Sequence, residues 1–145
     1  MAQEDSLQKL KKLEHESVMD SKDCPFCGIE VTDRIIERTG TVMSIKDKYP
    51  VTEHHMLIIP VRHTPDFFSL TSKEKRDLDA LILALRKRIL KSDPDVTGFN
   101  IGVNCGVSAG QTIMHAHIHL IPRRDRDIPN PRGGIRGVIP GKMAY

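Results

Sequence analysis

The chain has 145 residues, 39% of them hydrophobic and 28% charged, a size and balance that suit one soluble domain with one core. No run approaches the roughly 18 apolar residues of a membrane span, and the acidic start Met1-Ala2-Gln3-Glu4-Asp5 lacks the apolar core of a signal peptide, so a cytoplasmic location without a membrane partner is expected. A net charge of +3 is too weak for the basic stripe of a nucleic-acid binder, and three cysteines, an odd number, do not make a disulfide framework.

Leu7, Leu10 and Leu13 are spaced three apart and give a weak helical signal within an N-terminal extension, residues 1–22. Residues 23–145 are expected to form a single domain. It opens on Cys24-Pro25-Phe26-Cys27, a CxxC pair suited to half a metal site or to a redox pair. Thr41 to Ile45 alternates as a strand does, and Asp47-Lys48-Tyr49-Pro50 reads as a turn. His55 to Ile59 reads as a more deeply buried strand, stopped by Pro60.

The strongest helix opens at Thr71, where Thr71-Ser72-Lys73-Glu74 has capping-box form. Leu78, Leu81, Ile82, Leu85 and Ile89 make its apolar face, and Ser92-Asp93-Pro94 ends it. Phe99 to Asn104 is a further strand candidate, and after it comes a loop, Gly106 to Gly110. A histidine-rich strand is expected from Thr112 to Ile121, ended by Pro122. Beyond it, prolines and glycines predict an irregular tail, 123–145. The tail carries six cations against two carboxylates, which fits an anionic small substrate. The whole is an α+β pattern: an antiparallel sheet of about five strands with one main helix and a weakly signalled N-terminal one.

His115-Ala116-His117-Ile118-His119 concentrates the chemistry. On a strand, the three imidazoles point one way and Ala116, Ile118 and Leu120 the other. Neighbours on one face stand about 6.6–7 Å apart, close enough to serve one phosphate or one metal. Three readings are open: filler on a half-exposed strand, a catalytic zinc held by three histidines, or nucleophilic attack at phosphorus by a neutral imidazole.

Gly110-Gln111-Thr112-Ile113-Met114-His115-Ala116-His117-Ile118-His119-Leu120-Ile121-Pro122 resembles the signature of the histidine-triad superfamily. The upstream CxxC pair, Asp47 and His55 fall in matching places, so the resemblance spans roughly Cys24 to Arg124. The resemblance implies a nucleotide hydrolase or transferase. His117 would attack the α-phosphorus and form a nucleotidyl-histidine, and His119 would hold the phosphate oxygens. The backbone carbonyl of His115 would orient the attacking ring, and His55 would support the triad from the neighbouring strand. Asp47 matches a ribose-binding position, while Asn104, Gln111 and Thr112 match positions near the phosphates.

The resemblance also implies a structural zinc on Cys24, Cys27, His63 and His115, and a homodimer. Its flanks look closer to the dinucleoside polyphosphate hydrolases, with the phosphoramidate hydrolases left open. A zinc-dependent hydrolase using all three histidines, or a nucleotide-binding module without turnover, are the alternatives.

Overall fold

The computed structural model describes residues 21–145, so the expected N-terminal helix lies outside the described residues. Five strands form one antiparallel sheet: β1 (Ile35–Thr39), β2 (Val42–Lys46), β3 (Met56–Pro60), β4 (Val96–Val103) and β5 (Ile118–Arg124), in the spatial order β1-β2-β3-β5-β4. Among the described residues a single long helix, α1 (Ser72–Ser92), connects β3 to β4. It begins where the capping box predicts. Thr71 Oγ1 accepts from Glu74 N at 3.1 Å, and Glu74 Oε1 accepts from Thr71 N at 2.9 Å.

The sheet is covered on both faces. Toward α1, Val42, Met56, Ile58, Ala116, Ile118 and Leu120 meet Leu78, Leu81, Leu85 and Ile89. Full burial of each such helix side chain stabilises by about 1.5–3 kcal/mol. On the opposite face Met43, Ile45, Leu57 and Ile59 pack beneath Cys24, Phe26 and Val31. β2 and β3 therefore show little polar alternation, because both of their faces are packed over most of their length.

Two elements differ from the sequence reading. β1 carries the half-polar run Ile35-Ile36-Glu37-Arg38-Thr39, which has no clear period of its own. It forms because Gly40-Thr41 closes a two-residue turn onto β2. Gly40 sits at φ 54°, and a Cβ there would collide with the Asp77 carboxylate.

The histidine strand begins only at Ile118, not at Thr112, and Pro122 lies inside it rather than ending it. Upstream, Ala116 N–H leaves the sheet pattern and donates to Thr64 O at 2.8 Å. Pairing with β3 stops at Leu120, so Pro122 stands where β5 is an edge on that side, as a strand proline tolerates. Arg123 and Arg124 accordingly belong to β5 and not to an irregular tail, and a 3-10 turn at Gly134–Val138 gives the C-terminal segment some local order.

Candidate functional site

Cross-strand pairing sets His119 opposite Leu57 of β3 and Gly102 of β4. On that face, away from α1, lies a cleft of about 700 Å³ whose lining includes Phe26, Asp47, Leu57, Asn104, His117 and His119. His115 does not line it. Alternation holds as far as faces go, with Ala116, Ile118 and Leu120 toward α1 and His115 and His117 both against Phe26 on the other face, but His115 is fully buried and turned to the cysteines, so its ring does not reach the cleft.

The hydrogen bonds set opposite tautomers on the two cleft histidines. His117 Nδ1 lies 2.8 Å from the His115 carbonyl oxygen, which can only accept, so Nδ1 carries the proton and Nε2 keeps a lone pair. His119 is set through a relay. Val51 N–H donates to His55 Nδ1 at 3.1 Å, which leaves the His55 proton on Nε2. That nitrogen stands 2.9 Å from His119 Nδ1 and donates to it, so His119 holds its own proton on Nε2. Asp47 Oδ2 backs the relay at 3.3 Å from His55 Nε2, while Asp47 Oδ1 accepts from Tyr49 N–H at 2.7 Å. The site thus pairs an acceptor nitrogen on His117 with a donor nitrogen on His119.

Burial pushes His55 below the ordinary imidazole range, against the pull of Asp47. Burial also lowers His119, helped by the positive charge that His117 and His55 can carry, with Asp47 again opposing. Both shifts favour the neutral rings that the relay requires. Ring-nitrogen NMR of the free protein is expected to show both titrating below 6.5, the ordinary imidazole value. Asp47→Asn removes the opposing charge, so both midpoints should fall further. An upward move in that variant would contradict the assignment.

Cys24, Cys27, His63 and His115 form a separate cluster whose ligating atoms all lie within 4.8 Å of one another. Cys24 Sγ is 3.5 Å and Cys27 Sγ 3.4 Å from His115 Nδ1, while His63 Nδ1 is 3.2 Å from both Cys27 Sγ and His115 Nδ1. Metal–ligand lengths of about 2.3 Å to sulfur and 2.0–2.1 Å to nitrogen, at tetrahedral angles, require edges of roughly 3.3–3.8 Å. The four edges given, at 3.2–3.5 Å, lie close to that range. His115 Nε2 donates to Pro60 O at 2.8 Å, which leaves Nδ1 as the lone-pair nitrogen facing the thiols. The donor set therefore fits a tetrahedral zinc. Between its two cysteines the segment turns, with Cys27 N–H on Cys24 O at 3.1 Å. This turn sets the Phe26 ring edge-on to His117, with centroids 5.3 Å apart.

The remaining expected residues divide. Asn104 and Thr112 line the cleft. Gln111 does not: it is buried, its amide donates to Pro65 O at 2.6 Å and Ile113 O at 3.0 Å, and its oxygen accepts from Gly106 N at 2.8 Å. With both donors spent on the protein, Gln111 staples the loop. Sequence reasoning passed over Phe26, Arg34, Lys48 and Tyr49 as cleft residues. For Phe26 the signal was present, an aromatic side chain inside a CxxC turn.

The HIT domain family model matches residues 29–126. A bis(5'-nucleosyl)-tetraphosphatase of Schizosaccharomyces pombe is 31% identical over 73% of this chain, and the match spans 58% of that protein. An adenosine 5'-monophosphoramidase of Candida albicans is 33% identical over 70% of this chain and 71% of its own. A zinc-bound histidine triad protein from Mycobacterium smegmatis superposes with a TM-score of 0.66 at 32% identity, covering 74% of this chain and 79% of that one. The signature, the sheet and the matched stretch coincide, and the chain belongs to the HIT domain family.

Proposed function

We propose that the protein hydrolyses nucleotides at the α-phosphate through a nucleotidyl intermediate on His117. The opposed tautomers of His117 and His119 carry this reading. In the first step the Nε2 lone pair of His117 attacks phosphorus and the bond from phosphorus to the leaving oxygen or nitrogen breaks, a leaving nitrogen taking up a solvent proton so that it departs as the neutral amine. The Nε2–H of His119 donates to the phosphate oxygens as charge grows on them. In the second step water attacks phosphorus, the P–N bond breaks, the proton of that water passes to solvent, and the nucleoside monophosphate leaves with His117 neutral again. Phe26, Leu57 and Tyr49 offer apolar surface for the nucleoside, and Asp47 lies beside it for the ribose hydroxyls.

The names of two relatives, a tetraphosphatase and a phosphoramidase, support dinucleoside polyphosphates and adenosine phosphoramidates as the substrates. A structural zinc on Cys24, Cys27, His63 and His115 would clamp the N-terminal turn to His115. A homodimer is in keeping with β4 at an open sheet edge, where Ile101 is about half exposed. No helix among the described residues is long and apolar enough to cross a membrane.

Catalytic zinc on all three histidines is not favoured, because His115 has given Nδ1 to the cysteine cluster and Nε2 to Pro60. Asp47, His55 and His119 also cluster, but a metal there would need a lone pair on His55 Nε2, the nitrogen that the Val51 N–H leaves protonated.

The test is incubation with diadenosine tetraphosphate and, separately, with adenosine phosphoramidate, tracking products by chromatography and quenched protein by intact mass. AMP release together with an adenylyl adduct on His117 is expected. Turnover with no adduct under single-turnover conditions would remove the covalent step.

A further inference from the structure

β4 and β5 place Asn100, Gly102 and Asn104 on the same face as His119, by register and alternation. Leu57 flanks His119 on one side and belongs to the cleft. On the other side stands Gly102, with no side chain. Ile135 Cδ1 occupies the space, 3.8 Å from where a Gly102 Cβ would be. The neighbouring Gly134 lies against Asn100, whose Nδ2 is 3.3 Å from the Cβ position. The C-terminal segment is thus seated on the sheet next to His119, opposite the nucleoside side of the cleft.

The segment has a defined shape. Gly133 sits at φ 90°, and a Cβ there would collide with the Met143 carbonyl oxygen. The Arg132 and Arg136 guanidiniums lie 4.7 and 4.9 Å from the Tyr145 ring centroid, and Arg136 Nε donates to Lys142 O at 3.3 Å. Arg123 and Arg124 are spent on Asp127 and Asp93. Arg132 and Arg136 make no ion pair among the described residues, so two exposed cations resting against the Tyr145 ring keep their charge free for a ligand.

Resting on the function proposed above, we propose that the segment 131–145 is a leaving-group subsite that selects polyphosphate chains through Arg132 and Arg136. The α-phosphate lies between His117 and His119, and the nucleoside takes the Leu57 side. The leaving group then departs toward β4 and the segment seated there. From diadenosine tetraphosphate and water the products are AMP and ATP, so the departing chain is a polyanion. From adenosine phosphoramidate the leaving group is ammonia, which offers the guanidiniums nothing to hold.

The experiment compares kcat/KM on these two substrates for the wild type, for Arg132→Gln with Arg136→Gln, and for Arg132→Lys with Arg136→Lys. The glutamine pair is expected to lose at least about ten-fold more on the tetraphosphate than on the phosphoramidate, and the lysine pair to recover part of that difference. Inorganic tripolyphosphate should also inhibit the glutamine pair more weakly than the wild type. Equal losses on both substrates, or a lysine pair as selective in its loss as the glutamine pair, would overturn the subsite while leaving the His117 chemistry standing. A wild type inactive on both substrates would overturn the function and the subsite together.

Discussion

Replacing His117 with Asn is expected to lower kcat/KM at least about 10³-fold on both adenosine substrates, a loss of about 4 kcal/mol of transition-state stabilisation. Asn is the informative choice because its side-chain amide can still donate to the His115 carbonyl, which His117 Nδ1 holds at 2.8 Å. The bond made by Nδ1 is mimicked, while the distal part of the ring, with the Nε2 lone pair, is gone. AMP affinity, measured by calorimetry, should change little, since Phe26, Leu57, Asp47 and His119 are untouched. Turnover close to that of the wild type would remove His117 as the attacking group. A large loss in AMP affinity would mean instead that the variant had damaged the cleft.

Cys24→Ser is expected to abolish zinc binding and to lower the melting temperature by about 15 °C, if free zinc stands a thousand-fold above its Kd and so contributes about 4 kcal/mol. The physical basis is the close set of donor atoms, four of whose edges are 3.2–3.5 Å, in which a serine oxygen does not supply the softness of a thiolate. Burial first, and Cys24 beside it second, push the Cys27 thiol up to about 11 in the metal-free cluster, so binding releases protons and should strengthen as pH rises. Elemental analysis of the purified wild type should find about one zinc per chain, and the variant close to none. Equal zinc in both proteins would sink the four-residue site. Catalysis should suffer less than in His117→Asn: His115 keeps its bond to Pro60 O, and its carbonyl still holds the His117 ring.

The two expectations meet in His115. Its side chain belongs to the cysteine cluster and its backbone carbonyl to the catalytic strand. Losing the cluster therefore acts on chemistry only through the placement of one peptide unit.

Much of the fold was legible in the sequence because it is local. The capping box at Thr71, the apolar stripe from Leu78 to Ile89 and the stop at Asp93 depend on residues within a few positions of one another, and α1 obeys them. The histidine alternation and its flanks likewise carried the family. Tertiary structure decided the rest. Neighbouring β2 makes β1 a strand, although its own sequence is half polar. A hydrogen bond to Thr64 O, 52 residues upstream, takes Ala116 out of the sheet pattern, and His115 points to thiols 88 and 91 residues away. Gln111 is turned inward by three backbone groups. The absent side chain of Gly102 makes room beside His119 for Ile135. The sequence by itself determined which groups can do chemistry, since that depends on residue type and short spacing. Only the fold decided which nitrogen of each histidine keeps its proton, because the partners that settle it, Val51 N–H and the carbonyls of Pro60 and His115, are backbone groups of other segments or of the chain's own turn.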